Sequence, residues 1–202
     1  MNIAIVGGGI VGLALGYKLS KVKGNTVHIY EKEEEVGFHQ SGRNSGVLHC
    51  GLAYKPGSLK AQLAVSGIKQ MIKYCKDFNV SHDICGKIVV ANNENEIDLL
   101  DNTAKRGKLN GLKGLKYLNK NELKEREPFV SSLKTLLVPE EGIVDYKGVM
   151  LSMKENIINN GGDVFLNKKI EKIEEKKKKI FINNNSSISY NNIIYTTGLQ
   201  SD

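Results

Sequence analysis

The feature that most limits the fold of this chain lies near its start, where Ile3, Ala4, Ile5 and Val6 run directly into Gly7-x-Gly9-x-x-Gly12. A short apolar run rich in β-branched side chains suits a strand buried on both faces of a parallel sheet. Of the glycines that follow, the first permits a tight turn and the second lets the backbone approach a pyrophosphate. The third lets the next helix pack closely on the sheet. Gly16, on the same helix face as Gly12, extends that contact. The helix start, at Ile10, offers free N–H donors and a positive dipole end to an anion. Gly24 reads as the helix stop, and residues 26–30 as a second strand ending at Glu31. Glu31 lies 19 residues beyond Gly12, where a carboxylate accepts hydrogen bonds from ribose hydroxyls and repels a 2′-phosphate. Strand, glycines, helix, strand and acid in this order predict a dinucleotide-binding unit whose ligand is not NADP.

The rest of the chain decides between NAD and FAD. An NAD domain would continue into another βαβ turn, but residues 36–57 form a long, polar, glycine-rich loop, of a kind that is usually functional. Far downstream, Ile193-Ile194-Tyr195-Thr196-Thr197-Gly198 reads as a buried strand running into Thr-Gly, and residues 169–190 as a β-meander or hairpin whose turn holds Lys176 and its neighbours. The block at 193–198 resembles the second nucleotide-contacting strand of the glutathione-reductase-like flavoproteins, in which two separated blocks return to one nucleotide site, and the resemblance favours FAD. The expected fold is α/β: a glutathione-reductase-like FAD-binding Rossmann domain, with a parallel sheet and a β-meander, and part of an α+β substrate domain. Helices are predicted at 58–78, 94–109 and 145–160, and strands at 87–91 and 115–118. In the first of these helices Leu59, Leu63, Ile68, Met71, Ile72 and Cys75 form a core stripe. Asn119 and Glu122 make a capping box for a short helix that stops before Pro128. The FAD domain is expected in two segments, 1–80 and 146–202, around a partial substrate domain, 81–145.

Composition narrows the partners. Lys and Arg total 29 against 22 Asp and Glu, a net charge of +7, but only Arg43, Arg106 and Arg126 carry the guanidinium that phosphate readers favour. The wealth of Lys, Asn and Ile reads as coding bias, so no nucleic-acid partner is expected. The Lys-rich turn near residue 176 is interrupted by glutamates and reads as solvated. Cys50, Cys75 and Cys85 lack C-x-x-C spacing, so neither a disulfide framework nor a zinc site is indicated, and no metal is expected. The apolar start lacks the flanks of a signal peptide, and no segment reaches the length of a membrane span. The expected location is cytoplasmic, with peripheral attachment at the inner face of the membrane left open.

The loop carries a more specific likeness. HQSGRNSGVLHCGLAYKPGSLKA, residues 39–61, resembles the signature of L-2-hydroxyglutarate oxidases and dehydrogenases, among the D-amino-acid-oxidase-like (DAO) flavoproteins. Cys85-Gly86-Lys87, Asn121-Glu122-Leu123, Glu127-Pro128, Val138-Pro139 and Gly142-Ile143-Val144-Asp145-Tyr146 agree with it. The resemblance implies non-covalent FAD and oxidation of a 2-hydroxy acid, with hydride passing to flavin N5 and electrons on to a quinone or other acceptor. Related enzymes continue for roughly as many residues again, so this chain is expected to be an N-terminal portion, with autonomous activity in doubt.

The cofactor-binding positions so identified are Gly7, Gly9, Ile10, Gly12, Glu31, Lys32, Asn44, Ser45, Gly46, Ile170, Thr197 and Gly198. His49 is the candidate base for the substrate hydroxyl, because histidine is suited to proton transfer near neutrality; the other reading is a hydrogen bond to backbone or flavin. Arg43 stands where the family motif commonly has His. Its planar fork suits a carboxylate or phosphate, and a surface ion pair is the alternative. His28 and His82 are expected to be structural or superficial, with His39 an unassigned loop member. The rival functions are a related amino-acid oxidase or glycerol-3-phosphate dehydrogenase, and an inactive nucleotide-binding fragment.

Overall fold

In the computed structural model, which describes residues 1–182 and 186–200, the expected strand, turn and helix open the chain as β1 (Asn2–Val6) and α1 (Ile10–Ser20), followed by β2 (Thr26–Tyr30). The helix ends at Ser20, earlier than expected, and Gly24 instead takes a left-handed turn (φ 86°) leading into β2. Next come β3 (Val47–Leu48), α2 (Leu59–Asp77), β4 (His82–Asp83), β5 (Lys87–Ala91) and α3 (Glu94–Leu109). The middle of the chain closes with β6 (Lys116–Leu118), α4 (Lys120–Arg126), β7 (Lys134–Val138) and β8 (Gly142–Val144). The last stretch holds α5 (Tyr146–Asn159), β9 (Asp163–Phe165), β10 (Ile170–Glu174), β11 (Lys179–Ile182), β12 (Ser186–Ser189) and β13 (Asn192–Tyr195).

These elements form two units: Met1–Ser45 with Asp145–Asp202, and Gly46–Val144. In the first, the strands run parallel in the order β13-β1-β2-β9. Ala4, Ile5, Val27 and Ile29 have no exposed surface, which is why this segment reads as a continuous apolar run. Gly16 makes the close helix packing possible, since a Cβ there would lie 2.8 Å from Ile29 and 3.1 Å from Ile157 of α5. The meander β10-β11-β12 is antiparallel, and Ile180, Ile182 and Tyr190 pack with Ala4 and Tyr30 in one apolar cluster. Tyr190 also hydrogen-bonds Tyr30 (2.6 Å) and His28 Nδ1 (2.8 Å), so His28 is structural. The meander turn spans Glu175–Lys177 and a left-handed Lys178, while residues 183–185 of the expected meander and residues 201–202 of the expected terminus lie outside the described residues.

In the second unit β7 is the centre of an antiparallel sheet, β5-β7-β6, and β8 the centre of a smaller one, β3-β8-β4. Leu100 and Ala104 of α3 are buried, as are Leu136 and Val138 of β7 and Ala91 of β5, and each buried Val or Leu side chain stabilises by about 1.5–3 kcal/mol. The Asn119–Glu122 capping box forms as expected. Two expectations change here. The α2 stripe is only partly core: Ile68 and Cys75 are buried, but Leu59 and Leu63 are 69% and 59% exposed, because apolar spacing marks a helix face without fixing how much of its length another element covers. Helix α2 also belongs to the unit that begins at Gly46, whereas the sequence reading groups it with the first segment. Among the described residues, no helix is long and apolar enough to cross a membrane.

Candidate functional site

Two glycines, Gly7 and Gly12, build the turn under the site. Gly7 sits at φ 110°, and a Cβ there would lie 2.5 Å from the Thr196 carbonyl oxygen. At Gly12 a Cβ would lie 2.1 Å from the Gly7 oxygen and 2.7 Å from Thr196 Oγ1. The Thr196 hydroxyl, 3.0 Å from both the Val6 and Gly7 carbonyl oxygens, closes this contact from just past the end of β13. Glu31, 7% exposed, accepts from Gly8 N–H at Oε2 (2.8 Å) and from Glu33 N–H at Oε1 (3.0 Å). It therefore braces the glycine turn and keeps lone pairs for further donors, since a carboxylate has about four acceptor positions. Ser41 was not anticipated: its Oγ accepts the Ile10 N–H (3.0 Å), and Gly37 N–H donates to Gly8 O (3.0 Å). These bonds lay the start of the long loop over the mouth of α1.

The result is a cleft of about 410 Å³ within the first unit, with Gly7, Gly9, Glu31, Lys32, Ile170, Thr197 and Gly198 among its lining residues. Phe38, His39, Lys168 and Lys169 complete much of its rim. At that rim Lys32 pairs with Glu33, and His39 Nε2 lies 2.8 Å from Glu33 Oε1. Those two partners, Lys32 first, hold the Glu33 carboxyl below the usual carboxylate range. Gly12 lies beneath the floor and Ile10 at the helix mouth, both acting through backbone. Asn44, Ser45 and Gly46 are not among the lining residues. The Asn44 amide donates to Gln40 O (3.2 Å) and Ser41 O (2.8 Å), Ser45 is exposed, and Gly46, at φ 70°, accepts from Val144 N–H (2.9 Å) in the second unit. Arg43 is exposed and stacks its guanidinium over the Phe38 ring at 4.7 Å.

His49 belongs to the second unit, where it has a partner that sequence reading did not supply. Strand β3 pairs antiparallel with β8, Leu48 opposite Gly142, so one step further places His49 beside Glu141. His49 Nδ1 lies 3.7 Å from Glu141 Oε1, with the His side chain 56% exposed and the Glu side chain 2% exposed. Glu141 Oε2 pairs with Lys87, while Oε1 accepts from both the Cys50 N–H and the Cys50 thiol at 3.4 Å. Burial, reinforced by the Glu141 charge, pushes the Cys50 thiol up to about 12, which keeps it a neutral donor. Gly142 is required beside this pair, since a Cβ there would meet the Asp83 oxygen of β4 at 2.2 Å. Among the described residues, no group of three or more His, Cys, Asp or Glu side chains is arranged to hold a metal ion.

A parallel sheet leading through a glycine turn into a helix, with an acidic second-strand terminus facing the same cleft, defines a dinucleotide-binding protein of the Rossmann class. The chain belongs to the DAO family, FAD dependent oxidoreductase, whose model matches residues 2–202. It is 43% identical to the L-2-hydroxyglutarate dehydrogenase of Indibacter alkaliphilus over 203 residues, covering 100% of this chain and 51% of that protein. The mitochondrial L-2-hydroxyglutarate dehydrogenase of Nematostella vectensis is 40% identical (100% and 48%), and the L-2-hydroxyglutarate dehydrogenase of Escherichia coli K12 is 33% identical (100% and 48%). The chain thus spans about half the length of these relatives. Among solved structures, the L-alpha-glycerophosphate oxidase of Mycoplasma pneumoniae with FAD bound superposes with a TM-score of 0.83 at 24% identity, over 95% of this chain and 52% of that one. An L-amino acid deaminase of Proteus myxofaciens also reaches 0.83, at 20% identity, over 98% and 46%.

Proposed function

We propose that this chain supplies the nucleotide cradle and the proton-accepting loop of an FAD-dependent enzyme that oxidises L-2-hydroxyglutarate to 2-oxoglutarate. The observation that carries this reading is the 43% identity, across the whole chain, to an L-2-hydroxyglutarate dehydrogenase. The cleft fits FAD on its own geometry. Gly7 and Gly9 line it, and the turn beneath has no room for a Cβ at Gly7 or Gly12, so it presents bare backbone suited to a diphosphate. Gly7, Gly9 and Ile10 would hold the diphosphate and Glu31 the ribose, with Lys32, Ile170, Thr197 and Gly198 walling the remainder.

Converting the C2 alcohol to a ketone removes a hydride from carbon and a proton from oxygen, and FAD, when bound, supplies the acceptor for the electron pair. The proton falls to His49, whose imidazole is exposed. Arg43, stacked on Phe38, is the anion-binding residue for a carboxylate or phosphate. Asn44, Ser45 and Gly46 shape the loop that carries both. The second unit forms part of the substrate domain.

The test is anaerobic addition of L-2-hydroxyglutarate to the FAD-loaded protein while following flavin bleaching. The D-enantiomer, glycerol 3-phosphate and an L-amino acid serve as competing substrates. Bleaching by the L-hydroxy acid alone is the expected result, and bleaching by glycerol 3-phosphate or the amino acid instead would transfer the assignment to that substrate.

A further inference from the structure

Glu141 is a charged residue with 1% of its surface exposed, placed in the turn between β7 and β8 and held from three directions. Lys87 pairs with Oε2, and the Cys50 backbone and thiol both donate to Oε1. A buried carboxylate is costly unless its partners are fixed, and this one also faces the exposed His49, at 3.7 Å through Nδ1. We infer that Glu141 is the positioning residue for His49: it keeps the neutral imidazole protonated at Nδ1 and so leaves Nε2 bare as the proton acceptor. The inference rests on the reading of His49 as the base.

The physical reason is the one-sided chemistry of a carboxylate, which accepts but does not donate. With the proton on Nδ1, an N–H dipole faces Oε1. With the proton on Nε2, the Nδ1 lone pair would face the same negative oxygen and be repelled. When Nε2 takes the hydroxyl proton, the ring gains one positive charge and keeps its Nδ1–H. Glu141 stabilises that charge without itself becoming protonated, in the manner of the aspartate in a serine-protease triad. Lys87 holds the carboxylate in place and the neutral Cys50 thiol adds a donor.

The experiment is ¹⁵N NMR of the histidine rings in the 202-residue chain, recorded where the rings are neutral, with the His49 signals assigned by their loss in His49→Ala. In the unmodified protein the pyrrole-type nitrogen is expected at Nδ1 and the pyridine-type nitrogen at Nε2. Glu141→Gln, which keeps the size and loses the charge, should move the ring toward the Nε2–H form that free histidine favours. In FAD-loaded protein the same change should lower kcat about 10- to 100-fold with KM little altered, a fraction of the 10²–10⁴ that a general base contributes. An Nε2–H tautomer in the unmodified protein overturns the inference, whether or not the variant folds. So does a Glu141→Gln variant with unchanged tautomer and kcat. Full turnover in His49→Ala would instead sink the base assignment while leaving the tautomer result standing, so the two failures are distinguishable.

Discussion

Replacing Gly12 by Ala sets two effects against each other, and their sizes come from the geometry. Gly12 lies inside α1 and is not among the glycines at positive φ, so Ala would bring at most about 1 kcal/mol of helix propensity. Against this, the new Cβ would sit 2.1 Å from the Gly7 carbonyl oxygen, a backbone atom fixed by the turn. Overpacking costs about 1–3 kcal/mol, and a clash with backbone belongs at the upper end of that range. The expected net loss is about 2 kcal/mol, or a fall in Tm of about 4–8 °C at this chain length. FAD affinity should fall at least about tenfold if as little as 1.4 kcal/mol of distortion enters the turn. Gly67→Ala is the matched control. It too is helical, in α2, but meets nothing within 4 Å, so it should gain about 0.5–1 kcal/mol. Thermal unfolding and FAD retention after gel filtration read both variants. A Gly12→Ala protein as stable as Gly67→Ala, with FAD retained, would refute the packing argument.

Further consequences follow from other contacts. Glu31→Gln loses an acceptor for the Gly8 or Glu33 N–H, and FAD titration should show affinity weakened by about 1.5–3 kcal/mol, the worth of a hydrogen bond to a charged group; unchanged affinity would remove Glu31 from the site. Because the Cys50 thiol is raised from 9.0 to about 12, its burial contributes stability that is complete below pH 9 and lost as pH climbs toward 12, since the unfolded chain releases the proton first. Denaturant unfolding of the native protein and Cys50→Ala across that window should show the native protein losing more stability than the variant. Tyr190→Phe removes the hydroxyl shared with Tyr30 and His28 and should cost about 1 kcal/mol in the same assay.

The nucleotide unit was legible in the sequence because its constraints are local. Glycine spacing, a β-branched run and an acid at a strand end each act over a few residues, and β2 and the Asn119 capping box emerge with the bounds expected. The longer-range supports were not legible. Ser41 reaches Ile10 across 31 positions, and nothing in a lone loop serine signals that bond. Thr196 reads as part of a strand, yet its hydroxyl locks the turn at Gly7. Glu141 sits between two blocks that carry the family resemblance, Val138-Pro139 and Gly142-Ile143, and reads as a turn residue. Only the β3–β8 register brings it to His49, and pairing two- and three-residue strands leaves no periodic trace. Leu59 and Leu63 show the converse, an apolar pattern whose covering element the pattern does not name.

The central claim is that the cleft lined by Gly7, Gly9 and Glu31 is the seat of the adenosine-diphosphate half of FAD. Isothermal titration of FAD into the chain, repeated in the presence of saturating ADP, tests it most directly. One FAD per chain, displaced by ADP, is the predicted result; absence of binding, or binding indifferent to ADP, would contradict it.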